Sequence, residues 1–173
     1  MLRLVEPSLQ YKNAHLDAAR EFCTAGEWDA DPDYLVANFE NLLRWLVLQK
    51  DPATVEPGQL SFEDFWLMDG DEYIGKLTLR TQINERFLQA GGHIGYDIRP
   101  SRRRQGYGTE LLRLGLAKAS ARGLERVLLT CDETNIGSRK LIEANGGQLE
   151  NAVEIEDRPI KKLRYWIELA GKQ

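Results

Sequence analysis

Positive charge is scarce in this sequence: 27 acidic side chains outnumber 23 basic ones, and the formal net charge is −4. A general nucleic-acid binder needs Lys and Arg spread over its surface, so that class is set aside. No apolar run approaches the roughly 20 residues that span a bilayer. Met1-Leu2-Arg3 leads into "LVEPSLQ" and not into a signal-peptide run, so no membrane partner is expected and the cytoplasm is the expected compartment. The only cysteines, Cys23 and Cys131, match no metal or redox spacing. That predicts plain thiols in a reducing compartment and no metal site. Histidine is equally sparse, at His15 and His93.

What is present describes one folded domain over residues 1–173, because 42% hydrophobic and 29% charged residues exclude a disordered chain. Leu2, Leu4 and Val5 suggest a short strand stopped by Pro7. Residues 13–26 place Leu16, Ala19, Phe22 and Cys23 at helical spacing, with Asn13 as cap and Gly26 as stop. Residues 33–50 repeat the pattern, with Leu35, Phe39, Leu42, Leu43, Leu46 and Val47 on one face. His15 is expected to be solvated. "DPATVEPGQ" reads as a loop. "FEDFWLMDGDEYIGKLTLRTQ" reads as two antiparallel strands joined by a hairpin, and "QAGGHIGYDIRP" as a third strand ended by Pro100. Residues 106–122 return to helical spacing, and "LERVLLTCD" reads as a central strand. "NIGSRKLIEANGG" reads as a short helix headed by Asn135, and "LENAVEIE" with "IKKLRYWIEL" as a closing hairpin. The fold class is α/β of the α+β kind.

One stretch departs from the acidic background. "RPSRRRQGYGTELL", Arg99 to Leu112, gathers four arginines in six residues, then Gly-Tyr-Gly at a helix start. A helix start exposes unpaired N–H groups and about half a positive charge, so it attracts phosphate. A Walker loop is excluded because Thr109-Glu110 follows Gly108. A dinucleotide fingerprint is disfavoured because Leu111 stands where a small residue belongs. Arg103-Arg104-Gln105-Gly106-Tyr107-Gly108 instead has the form Arg/Gln-x-x-Gly-x-Gly/Ala. This resembles the acetyl-CoA pyrophosphate loop of the GNAT-type N-acetyltransferases. The element order is similar to that fold, including an Asn-headed helix 27 residues after Gly108, and the likeness covers about residues 62–168. "GGHIGYDIRPSRRRQGYGTELL" with "TCDETNIGSRKLIEANGGQLE" looks like a branch of predicted acetyltransferases with unassigned substrates.

The resemblance implies a single GNAT-type domain, a mixed and mostly antiparallel central sheet flanked by helices. It implies acetyl-CoA as co-substrate and direct acetyl transfer to a primary amine of a small molecule or peptide. Backbone N–H groups from Arg104, Gln105, Gly106, Tyr107, Gly108 and Thr109 would wrap the pyrophosphate. Arg103 and Arg104 would add charge. Arg99 and Arg102 either reach the ribose 3′-phosphate or face solvent. Ile98 would pair through main chain with the pantetheine arm. Asn135 would bond its amides, cap a helix, or do both. Ser138 and Arg139 would lie near the phosphates or adenine.

The amine must be neutral to attack, so a base is needed. His93 and Asp97 share a strand face and are the candidates, His93 having a structural role as its alternative. The family's usual proton donor to the thiolate, a tyrosine seven residues after the asparagine, is replaced by Ile142. A catalytically impaired CoA-binding sensor or scaffold is therefore the rival reading. The acceptor is expected to meet Trp28, Tyr34, Phe39, Arg80, Asn84, Phe87 and Trp166. The oligomeric state is left open, a homodimer included.

Overall fold

Pro7 ends the first strand, β1 (Leu2–Val5), and a 3-10 turn (Leu9–Tyr11) runs directly into α1 (Lys12–Thr24). That turn displaces the expected cap: Asn13 lies inside α1, and Tyr11 holds the cap position without a side-chain bond. α2 (Pro32–Leu48) starts on Pro32 with the Asp31 carboxylate accepting the Asp33 N–H at 2.9 Å. Its Phe39 and Leu46 are buried, but Val47, expected beside them, is 62% exposed. Consecutive helical residues are turned about 100° apart, which carries Val47 off the face Leu46 occupies.

The computed structural model describes residues 1–169. β1, β2 (Glu63–Asp69), β3 (Glu72–Leu79) and β4 (Ile94–Ile98) form an antiparallel sheet in sequence order. The short α3 (Glu85–Gln89), capped by Asn84, interrupts the segment before β4 and was too brief to register as a periodicity. After β4 come α4 (Tyr107–Ala121), β5 (Arg126–Asp132), α5 (Ile136–Ala144), β6 (Gln148–Val153) and β7 (Lys162–Glu168). β5, β7 and β6 form a second antiparallel sheet with β7 in the middle. Among the described residues no ladder joins β4 to β5, so the expected central sheet is split at this point.

Strand alternation sorts the side chains onto two faces. Phe65, Leu67, Leu77, Leu79 and Ile94 pack with Leu111, Leu112 and Ala119 of α4 and Ile142 of α5. The core continues into the second sheet through Val127, Leu129 and Tyr165. On the opposite face Trp66, Met68 and Tyr73 pack with Leu16, Ala18 and Phe22 of α1 and Phe39 of α2. α4 packs across both β4 and β5, and α5 against β5, on one face of the split, while α1 and α2 cover β2 and β3 on the other.

Candidate active site

The backbone between β4 and α4 is left-handed at Arg104 (φ 59) and at Gly106 (φ 86), the cap of α4. A Cβ at Gly106 would meet no atom within 4 Å, so glycine is selected there by its φ. The first bond of α4 runs from the Glu110 N–H to the Gly106 carbonyl, 3.2 Å. The N–H groups of Tyr107, Gly108 and Thr109 therefore precede the helical ladder.

The arginines divide. Arg99 binds Glu21 (2.7 Å) and Glu72 (3.4 Å), Arg102 binds Glu72 (2.8 Å), and Arg103 chelates Glu27 at 2.7 and 2.5 Å. Arg103 Nε also donates to the Ile98 carbonyl at 2.9 Å. The acids come from the end of α1, the segment after it and the β2–β3 turn, so these pairs tie the loop to the rest of the molecule. Arg99 and Arg102 are thus both ion-paired, Arg99 largely buried and Arg102 still 39% exposed. Arg104 alone of the four makes no ion pair or side-chain hydrogen bond among the described residues. Gln105 donates to the Ser101 carbonyl (3.1 Å), and the Tyr107 hydroxyl donates to Asp69 (3.1 Å). The Thr109 carbonyl accepts from Asn145 at 3.2 Å.

A cleft of about 580 Å³ fills the split, lined by Gly95, Tyr96, Cys131, Asn135, Ser138 and their neighbours. The Asn135 side chain accepts the Ser138 N–H at 3.0 Å, so it does cap α5. The Ser138 hydroxyl is buried against the Tyr96 hydroxyl at 2.5 Å. Burial raises the Tyr96 pKa, so the phenol stays protonated. Tyr96 puts a part-buried phenol in the cleft, whereas the sequence pattern points only to position 142 for one. Ile142 is fully buried in the core. Arg139 reaches the Glu133 carbonyl at 3.4 Å.

His93 is engaged at the end of the split, where the Leu128 N–H donates to its Nδ1 at 2.9 Å. That bond occupies the Nδ1 lone pair and places the neutral ring's proton on Nε2. Asp97 is different. Its carboxylate stands 3.9 Å from the Lys76 ammonium and accepts the Lys76 N–H at 3.4 Å. Burial outweighs these partners and pushes its pKa up to about 6.

Beneath α1 and α2 lies a second cavity of about 430 Å³, lined by His15, Trp28, Asp29, Trp45, Asp64, Trp66 and Lys76 together with Glu27 and apolar residues of α2. Of the seven residues expected to meet an acceptor, Trp28 is the one that lines it. Phe39 is core, and Tyr34 is 64% exposed. Asn84 caps α3, and the Arg80 guanidinium lies over Phe87 at 4.4 Å. Trp166 lies 6.1 Å from the His93 ring. His15, expected in solvent, is 5% exposed and stacks on Trp66 at 4.5 Å. Its helical face could have revealed this, since Leu16, Ala18 and Ala19 flank it on the buried side.

A family model described as an acetyltransferase (GNAT) domain matches residues 7–148. Among curated protein sequences none matches the chain. Solved structures are similar in fold. RimL, a ribosomal alpha-N-protein acetyltransferase in complex with coenzyme A, superposes with a TM-score of 0.71 at 16% identity, over 99% of this chain and 96% of its own. RimJ of Mycobacterium smegmatis, in complex with a CoA disulfide, gives 0.71 at 20% identity, over 96% and 81%. The microcin self-immunity acetyltransferase MccE, in complex with acetyl-CoA and AMP, gives 0.68 at 14% identity, over 96% and 92%.

Proposed function

The chain belongs to the GNAT acetyltransferase family, and from that premise we propose that acetyl-CoA lies along the α4 loop and the β4–β5 cleft, facing a primary amine in the cavity under α1 and α2. The observation that carries this is the left-handed turn at Gly106, which leaves three N–H groups unpaired at the end of the split. The pyrophosphate sits on the N–H groups of Tyr107, Gly108 and Thr109, with the unpaired Arg104 and the positive end of α4 adding charge. Arg99, Arg102 and Arg103 hold the loop in shape. The pantetheine arm runs past Ile98, and the free amide protons of Asn135 donate to it.

Asp97 is the base. A carboxylate with a pKa near 6 is ionised at neutral pH yet still basic enough to take an amine proton, whereas His93 has no free lone pair to offer. The neutral amine attacks the thioester carbonyl, the C–S bond breaks, and the CoA thiolate takes a proton from Tyr96, with Ser138 hydrogen-bonded behind it; the surplus proton shed by the nitrogen passes through solvent and restores the Tyr96 phenol. In this role Tyr96 supplies the phenol that Ile142 lacks, which favours the transferase over an impaired binding module. The test is free-thiol release from acetyl-CoA with primary amines of small molecules and peptides, alongside CoA binding by calorimetry. Amine-dependent release is expected, and its absence with every amine overturns the transferase reading. A folded Gly106→Val protein with unchanged CoA affinity overturns the loop assignment.

A further inference from the structure

On that transferase reading, we propose that the acceptor is a small molecule with two cationic nitrogens about 10 Å apart, and that Asp64 and His15 hold the one that is not acetylated.

The cavity floor is the sheet face under α1, and its register is fixed. One row runs Asp64–Thr78–Gly95 and the next runs Trp66–Lys76–Asp97 across β2, β3 and β4. A Cβ at Gly95 would meet nothing within 4 Å, so β4 is open there to the cavity side, and Gly95 also lines the cleft. The reacting amine therefore lies by Gly95 and Asp97. Asp64 is two strands away, roughly 10 Å at the usual strand spacing.

Asp64 does not touch the reacting amine at that distance and reaches Asp97 only through its charge, yet it is a carboxylate only 7% exposed on the cavity wall. One oxygen accepts the Thr78 hydroxyl at 2.5 Å. Among the described residues the other has no hydrogen-bond partner, and Asp64 has no ion pair. The remaining charges of the wall are accounted for differently: Glu27 is chelated by Arg103, and Lys76 stands beside Asp97. The exposed Asp29 adds a second unpaired carboxylate. Arg80 acts on Asp64 only through longer-range charge, its guanidinium lying over Phe87, so a cationic ligand in contact with the buried carboxylate lowers its cost further.

His15 adds an unpartnered acceptor to the same cavity. It lines the cavity, is 95% enclosed by its 5% exposure, and its Nδ1 has no hydrogen-bond partner. Burial among aromatic rings, with the nearby Lys76 charge, holds its pKa down to about 4, so it is a neutral ring with one free lone pair at pH 7. A free lone pair and a carboxylate on the walls of one cavity suit a ligand that carries several N–H donors. Trp66 and Trp28, at 4.5 and 6.0 Å from His15, supply aromatic faces for a cation. The Lys76 ammonium already lies 5.4 Å from the centre of the Trp28 ring, which shows that the wall accommodates one. An acetylated nitrogen loses its charge before transfer and needs none of this, so the pole serves a second nitrogen.

The test compares hexamethylenediamine, n-hexylamine and a short neutral peptide with a free N-terminus, by thiol release with acetyl-CoA and by calorimetry on the CoA-saturated protein. The diamine is expected to exceed hexylamine at least about tenfold in kcat/KM, chiefly through KM. Asp64→Asn is expected to bring that ratio toward one and to abolish diamine binding, and His15→Phe to weaken the binding while keeping the Trp66 stack. Equal turnover of hexylamine, or preference for the peptide, overturns the inference and leaves the transferase reading standing. Diamine binding that Asp64→Asn abolishes, without turnover, upholds the pole and overturns the transferase reading. Absence of both binding and turnover overturns the two together.

Discussion

His93 and Leu128 exchange two hydrogen bonds across the split in the sheet: the His93 N–H donates to the Leu128 carbonyl at 2.8 Å, and the Leu128 N–H donates to His93 Nδ1 at 2.9 Å. This pair fastens β5 to the segment entering β4 where no ladder does. It requires a neutral imidazole, and burial with the Arg126 charge lowers the pKa accordingly. A depressed folded-state pKa means that the contribution is complete above about pH 6.5 and is lost as pH falls through the folded value.

His93→Ala is expected to cost about 1–3 kcal/mol of stability by stranding the buried Leu128 N–H. Turnover per folded molecule should keep its pH dependence. Melting temperature and a pH–rate profile on one preparation check this. Loss of the profile's lower step with melting unchanged would return His93 to the role of base.

Asp97→Asn is expected to lower kcat about 10²-fold or more, with CoA affinity retained. The carboxyl acts only when ionised, so the wild-type rate should rise with pH through about 6, the value to which burial pushes Asp97. The variant should lack that rise. A wild-type profile flat from pH 5 to 7 would contradict the assignment.

Tyr96→Phe keeps the ring and removes the proton donor. A fall of about 10²-fold in kcat is expected, with little change in KM for acetyl-CoA. Ile142→Tyr is no substitute. Ile142 is fully buried, and a larger side chain there should cost about 1–3 kcal/mol through overpacking without restoring activity to the Tyr96→Phe protein. Urea midpoints and steady-state rates on the single and double variants decide the point.

The element order and the glycine loop were legible because both are local: a hydrophobic period and a left-handed turn are written in neighbouring residues. The disposition of the arginines was not, since Glu21, Glu27 and Glu72 reach them from 27 to 78 residues away. The cavity was read partially. Trp28 is legible, and Asp64 and Trp66 share a face of β2, but Lys76 joins them only through cross-strand register, which no single strand reveals. Tyr96 and Ser138 meet across 42 residues by the same kind of long-range packing.

Arg104→Ala and Arg103→Ala separate charge from shape in the loop. Arg104, unpaired, should weaken CoA binding by about tenfold and reduce its salt dependence. Arg103 already satisfies Glu27 and the Ile98 carbonyl, so its loss should lower melting temperature more than Arg104's does. Equal effects of the two on CoA affinity, with no difference in melting, would put both guanidinium groups on the phosphates.

His15 gives a separate handle on the cavity through stability. Its pKa is held at about 4 against 6.5 in the unfolded chain, chiefly by burial and secondarily by Lys76. Between those values the unfolded chain takes up a proton that the folded chain refuses. Stability from this group is therefore complete above pH 6.5 and is lost as pH falls toward 4, by at most about 3 kcal/mol. Asp97 works in the opposite sense, because its raised pKa makes the folded chain bind the extra proton between about 4 and 6. That opposing contribution is common to wild type and His15→Phe and largely cancels between them. Phenylalanine keeps the stack on Trp66 and cannot be protonated. The stability difference should then shift in favour of His15→Phe by about 2 kcal/mol between pH 7 and pH 4.5. Urea titrations at the two pH values measure it. A difference that stays constant would mean that the imidazole is hydrated or charged in the cavity, and would withdraw His15 as a neutral acceptor of the ligand's N–H.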